Sequence, residues 1–127
     1  MLTVNPEVAC YIVAKAREFN AKVELDDTES GSNPTDDNAV DVLQAYADDP
    51  TIEELRGAID SLNEEESRDL VALMWIGRGD FEKDQWREAQ AHAETIPPPD
   101  RSRYLIGTPL LGDYLEQGMS EFGYFCE

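Results

Sequence analysis

Residues 70–76 read Leu70-Val71-Ala72-Leu73-Met74-Trp75-Ile76, seven apolar side chains in a row, and Gly77-Arg78-Gly79-Asp80 follows at once. An amphipathic surface helix would interrupt such a run with polar residues; a helix apolar on every side must be wrapped by its neighbours. Period alone does not separate this run from a buried strand. Composition favours helix, because Leu, Ala and Met dominate and only Val71 and Ile76 are β-branched. Upstream, Asn63 and Glu66 stand at capping-box spacing, with Glu64, Glu65 and Glu66 where a helix dipole favours negative charge. The pattern predicts a central helix over about 64–77 that stops at Gly77 or Gly79.

The neighbours follow from the same periodicity. Asn5-Pro6 is a cap followed by proline at the first helical position, and Val8, Ile12, Ala16 and Phe19 recur at helical spacing over about 6–22. Residues 24–38 are acidic, rich in turn formers and carry Leu25 as their one apolar side chain, which predicts a flexible acidic loop. Val40, Leu43 and Ala47 fit a short helix ended by Asp48-Asp49-Pro50. Thr51 and Glu54 match a capping box for a helix carrying Leu55, Ile59 and Leu62. Asp80 is the expected cap of a helix with Phe81, Trp86, Ala89 and Ala93 on its apolar side. Pro97-Pro98-Pro99 should end that helix as a stiff extended spacer. Asp100 begins a short turn through Tyr104 and Leu105. Thr108-Pro109 should start a last helix over 109–122, with Leu111, Leu115, Met119 and Phe122 as its stripe and Gly123 as its stop. No strand alternation appears. The expected fold is all-α: one domain over 1–127, a compact bundle of four to five helices around the central one.

Charge changes this picture most. The net charge is -18, and it is concentrated: residues 24–66 hold fifteen acidic groups against Arg56 alone. Such a surface repels nucleic-acid phosphates and membrane anions and invites basic partners, divalent cations or a salty cytoplasm. No apolar stretch approaches the roughly 20 residues that cross a bilayer, and the first residues do not resemble a signal peptide. Cys10 and Cys126 lie near opposite ends with no CxxC spacing, so the expectation is free thiols in a reducing cytoplasm.

Candidate chemistry is sparse. Arg78, in a glycine-flanked turn before a helix, is the most suggestive polar residue, and Arg101 and Arg103 could join it around an anion. Asp80 opposes that reading, and the turn is not a P-loop. The acidic loop can be laid on a calcium template through Asp26, Thr28, Ser30, Gly31 and Asp37, but its ligands are weak ones, and solvated disorder is the expectation. His92, with Glu88 one turn before it, makes no metal site alone. No nucleophile, base and orienting group assemble, so no cofactor, metal or catalytic set is expected. Tyr124 and Phe125, beyond the Gly123 stop, and Tyr114, off the last helix's stripe, are the candidate interface residues.

From Leu55 to Gly123 the chain resembles an uncharacterised bacterial family, the domain of unknown function numbered 3775. The residues that carry the resemblance are Leu70 through Asp80, then Trp86, then Tyr104-Leu105-Ile106-Gly107-Thr108-Pro109-Leu110-Leu111-Gly112-Asp113-Tyr114-Leu115-Glu116. The resemblance implies no activity. The leading expectation is a small cytoplasmic interaction or regulatory module without catalysis, its partner an unknown protein, a basic one among the options, or a second copy of the chain. Two alternatives stay open. One is an acidic nucleic-acid mimic that binds a basic protein. The other is a small enzyme or anion-binding domain built on the Gly77–Asp80 turn.

Overall fold

The computed structural model describes residues 3–30 and 49–126, at 23–30 by backbone alone. Six α-helices and no strands occur among the described residues: α1 (Pro6–Ser30), α2 (Pro50–Asp60), α3 (Glu64–Arg78), α4 (Trp86–Ala93), α5 (Pro98–Ile106) and α6 (Leu111–Glu121). A short 3-10 turn, Lys83–Gln85, precedes α4. Helix α3 is the central one. Leu70 to Met74 are fully buried and Ile76 nearly so, with α6, α4 and α5 packed around them. Its start is the expected capping box: the Asn63 side chain accepts from the Glu66 amide, and the Asn63 amide donates to Glu66. Its end is set by Gly79 at φ 94°, where the amides of Gly79 and Asp80 both donate to the Trp75 carbonyl.

Several boundaries differ from the sequence expectation, each for a local reason. Helix α1 runs on to Ser30, because neither proline nor glycine interrupts the chain between Glu7 and Gly31. The rest of the acidic loop and the short helix expected near 40–47 lie outside the described residues. Helix α2 is capped by Asp49, whose side chain accepts from the Thr51 amide, with Pro50 in the first turn; Thr51 itself is buried. Pro98 and Pro99 form the first turn of α5 instead of a spacer, since their missing amides are ones a helix start leaves unpaired anyway. Thr108 closes α5 by donating to the Tyr104 carbonyl, so α6 starts later, after Leu110 in the left-handed region at φ 60°. Asp80 is engaged by Arg78 and leaves the next turn to begin at Glu82, whose amide donates to Gln85 Oε1.

Helix α6 is wedged between α3 and α1, and it meets each of them through a glycine. A Cβ on Gly118 would run into the Leu73 carbonyl, and one on Gly77 would meet the Tyr114 carbonyl and come within 2.8 Å of the Gly118 amide nitrogen. The two helix backbones therefore touch directly, antiparallel, over this stretch. On another face, a Cβ on Gly112 would lie 2.7 Å from Arg17 Cγ and 2.9 Å from the Val13 carbonyl oxygen. Helix α1 contributes Ala9, Ile12, Val13, Ala16 and Phe19 to the same core. Ion pairs fasten the outside: Arg17 of α1 reaches Asp113 and Glu116 of α6, and Lys15 reaches Glu54 of α2. Lys22 Nζ grips the Asp49 carboxylate at 2.9–3.0 Å. That ammonium, with the Thr51 amide behind it, holds the Asp49 carboxyl below its ordinary value.

The expectation of free thiols is overturned: Cys10 and Cys126 form a disulfide, with their Cα atoms 5.5 Å apart. The two are 116 residues apart in sequence, and their spacing carries no hint of the contact. It arises because α6 returns antiparallel along α1 and the tail beyond the Gly123 turn ends beside Cys10. Disulfides persist mainly in oxidising compartments, so the cysteines lend the cytoplasmic expectation no support.

Two stability predictions follow from the packing. Gly118→Ala should cost about 1–3 kcal/mol or more, as overpacking against rigid backbone, whereas Gly57→Ala in α2, with open space around it, should gain about 0.5–1 kcal/mol from helix propensity. Urea midpoints measure both, and equal responses would contradict the close helix contact. Reducing the disulfide should lower the thermal midpoint, because a loop of this length is worth about 4–5 kcal/mol in the chain-entropy picture. A midpoint unchanged in protein whose thiols are demonstrably free would refute that.

Candidate functional site

The turn that ends α3 opens a cleft. After Gly79 and Asp80 the chain passes Phe81, whose ring lies 5.8 Å from Trp75 and 5.3 Å from His92. The 3-10 turn then carries Lys83 and Asp84 across to the end of α6. There Phe122 is propped edge-on by Trp86, ring centroids 5.0 Å apart. Between the turn and α6 lies a cavity of 770 Å³. Ile76, Phe81 and Phe122 make its apolar floor, and the exposed Glu82, Asp84 and Glu121 ring it with carboxylates. Among the described residues, Lys83 is the one cation on its wall. Its Nζ sits 5.7 Å from the Phe122 ring centroid, and it makes no ion pair among the described residues. The site can thus hold a group that is apolar on one side and positively charged on the other.

The three arginines considered for an anion are not brought together. Arg78 closes on Asp80 at 2.6 and 2.9 Å. Burial works against its charge, and hydrogen bonds to Asp80 and Tyr104 outweigh that, leaving its pKa raised. Arg101 is buried at the other end of α3 and donates to the Ile96 carbonyl, the Glu64 carbonyl and Ser67 Oγ. At 1.5 Å per residue, Ser67 and Arg78 are about 16 Å apart along the axis. Arg103, on the far side of α5 from Arg101, is exposed. Arg101 also lines a smaller cavity of 390 Å³ whose mouth carries Asp60 and Glu64, a poor setting for an anion.

Of the candidate interface residues, Tyr114 and Tyr124 are half-buried. Phe125 is 74% exposed, held beside the disulfide, and Tyr11, next to Cys10, is 46% exposed. Sequence reasoning missed Asp69, a fully buried carboxylate in the first half of α3. It accepts from Thr3 Oγ1 at 2.7 Å and from Arg68 Nε and Gln90 Nε2 at 2.9 Å each. Fully satisfied, it ties the segment before α1 and the middle of α4 to the central helix. The cleft was missed as well. Its signal was Phe81 with acids at 82 and 84, two residues after a helix-ending glycine. Among the described residues no group of three His, Cys, Asp or Glu side chains is placed to hold a metal ion, and no helix is long and apolar enough to cross a membrane.

The two arginines should separate on mutation. Arg101→Ala strands two carbonyls and a hydroxyl in the interior and should destabilise by about 2–4 kcal/mol. Arg78→Ala removes an exposed pair and should cost no more than about 1 kcal/mol. Chemical denaturation compares them, and the reverse order would mean that Arg101 is not a structural tie.

No curated protein and no solved structure matches the chain. A family pattern does: it covers residues 52–124, from the first turn of α2 through the turn that ends α6, and so contains the whole cleft and neither cysteine. On that match, which spans more than half of the sequence, the chain belongs to the family described as protein of unknown function, DUF3775.

Proposed function

We propose that the protein is a small non-catalytic interaction module whose cleft beside α6 receives a basic segment of a protein partner. One observation carries the reading: an apolar floor of Ile76, Phe81 and Phe122 bordered by Glu82, Asp84 and Glu121. A cleft that joins apolar surface to an excess of negative charge, three carboxylates against Lys83, selects partners by complementary potential, and the net charge of -18 extends the attraction beyond contact distance. Further support comes from how the cations are used. Lys15, Arg17, Lys22, Arg68 and Arg78 are all held in ion pairs, and on the cleft wall Lys83 alone stands against Glu82, Asp84 and Glu121.

The test is affinity purification with the full chain as bait, beside a bait carrying Asp84→Lys and Glu121→Lys whose helicity is unchanged by circular dichroism. The expected result is a basic protein retained at low salt by the first bait and lost from the second. Equal retention by both would sink the cleft reading. If duplex DNA displaces the retained protein, the partner is a nucleic-acid binder and the chain acts as an acidic mimic.

A further inference from the structure

Taking the cleft as a binding site for a basic segment, we infer that its determinant is a cation subsite on the Phe122 ring, occupied in the free protein by the chain's own Lys83. Three features meet at one spot. Phe122 is fixed by Trp86, so the ring has a defined orientation. The Lys83 ammonium lies over that ring at 5.7 Å, within the range of a cation–π contact. Lys83 is exposed and reaches no carboxylate within ion-pair distance among the described residues, although it stands between Glu82 and Asp84 in sequence and shares the cleft with Glu121. The ring holds this ammonium only weakly, as an exposed contact does, and a better cation can take its place.

The chemistry of that cation follows from the surroundings. A guanidinium is more weakly hydrated than an ammonium, stacks flat on an aromatic face and offers several N–H donors to flanking carboxylates. Asp84 and Glu121 supply acceptors at the rim, and Ile76 and Phe81 supply apolar surface for a neighbouring side chain. The occupant is therefore an arginine of a partner segment with an aliphatic residue beside it. Lys83 acts as an internal competitor that keeps the ring covered until such a residue arrives.

The experiment titrates the full-length, disulfide-intact chain with a capped Ala-Leu-Arg-Leu-Ala peptide and follows amide and aromatic resonances. Its counterpart has citrulline, the neutral isostere, at the arginine. The expected result is shifts at Gly79, Phe81, Asp84 and the Phe122 ring with the arginine peptide and none with the citrulline peptide. Lys83→Ala should tighten binding about 2- to 5-fold by freeing the ring. Arg56→Ala, which removes a positive charge from exposed α2, should leave affinity unchanged, and Glu121→Gln should weaken it. If the arginine peptide binds the cleft but Lys83→Ala and Arg56→Ala have the same effect, the competitor role is overturned and the cleft reading survives. If the peptide shifts neither the cleft of the native chain nor that of Lys83→Ala, both are overturned.

Discussion

The direct backbone contact between α3 and α6 at Gly77 and Gly118 is the constraint on which the rest of the molecule depends. A helix can be buried on every side only if its neighbours come close, and a side chain at either glycine would hold α6 away. Because α6 sits so near, Leu115 and Met119 reach the interior beside Leu73 and Met74. Its other glycine, Gly112, then admits α1 nearer the start of α6. Remove that approach and α1 loses its seat on α6. Helix α6 is ended by Gly123, at φ 85°, where the Tyr124 amide donates to the Met119 carbonyl, and the close contact holds that end, with Phe122, opposite the turn that follows α3.

Electrostatics works around this framework instead of creating it. Apart from buried Arg101, the cations that join helices do so at the periphery, where a pair in water contributes little on its own. Arg17 bridging two carboxylates of α6 and Arg68 leaning on buried Asp69 are better placed than most. The excess of carboxylates over these cations, a net charge of -18, is the physical basis for the proposal of a basic partner.

Much of the fold was legible in the sequence. The central helix, its capping box at Asn63 and Glu66 and its glycine stop follow from an apolar run with polar punctuation. Proline was the recurring source of error. Pro50 and Pro98 start helices here, although the same residue type is equally at home in an extended spacer, and only the surrounding packing decides. The disulfide and the Asp69 cluster were invisible for a different reason: both depend on long-range proximity, and no local pattern encodes that α6 returns along α1. Arg101 illustrates the same limit at a single residue. Its sequence neighbours suggest a solvated or ligand-binding cation, and its burial against Glu64 and Ser67 depends on where α5 docks. The cleft was half visible, since its residues stand out in sequence while the Phe81 and Phe122 partnership does not.

The bond between Cys10 and Cys126 closes the residues between them into a covalent ring. In a ring, one cut does not divide the molecule. A protease that cleaved between α1 and α2 would leave an N-terminal piece and a family-core piece still covalently joined. Core contacts from Ile12 and Phe19 and the Lys22–Asp49 clip would hold α1 in register. The mass of the unreduced protein would then barely change, and the scission would come to light only under reducing conditions. One cut anywhere between Cys10 and Cys126 thus opens this ring without dividing the molecule.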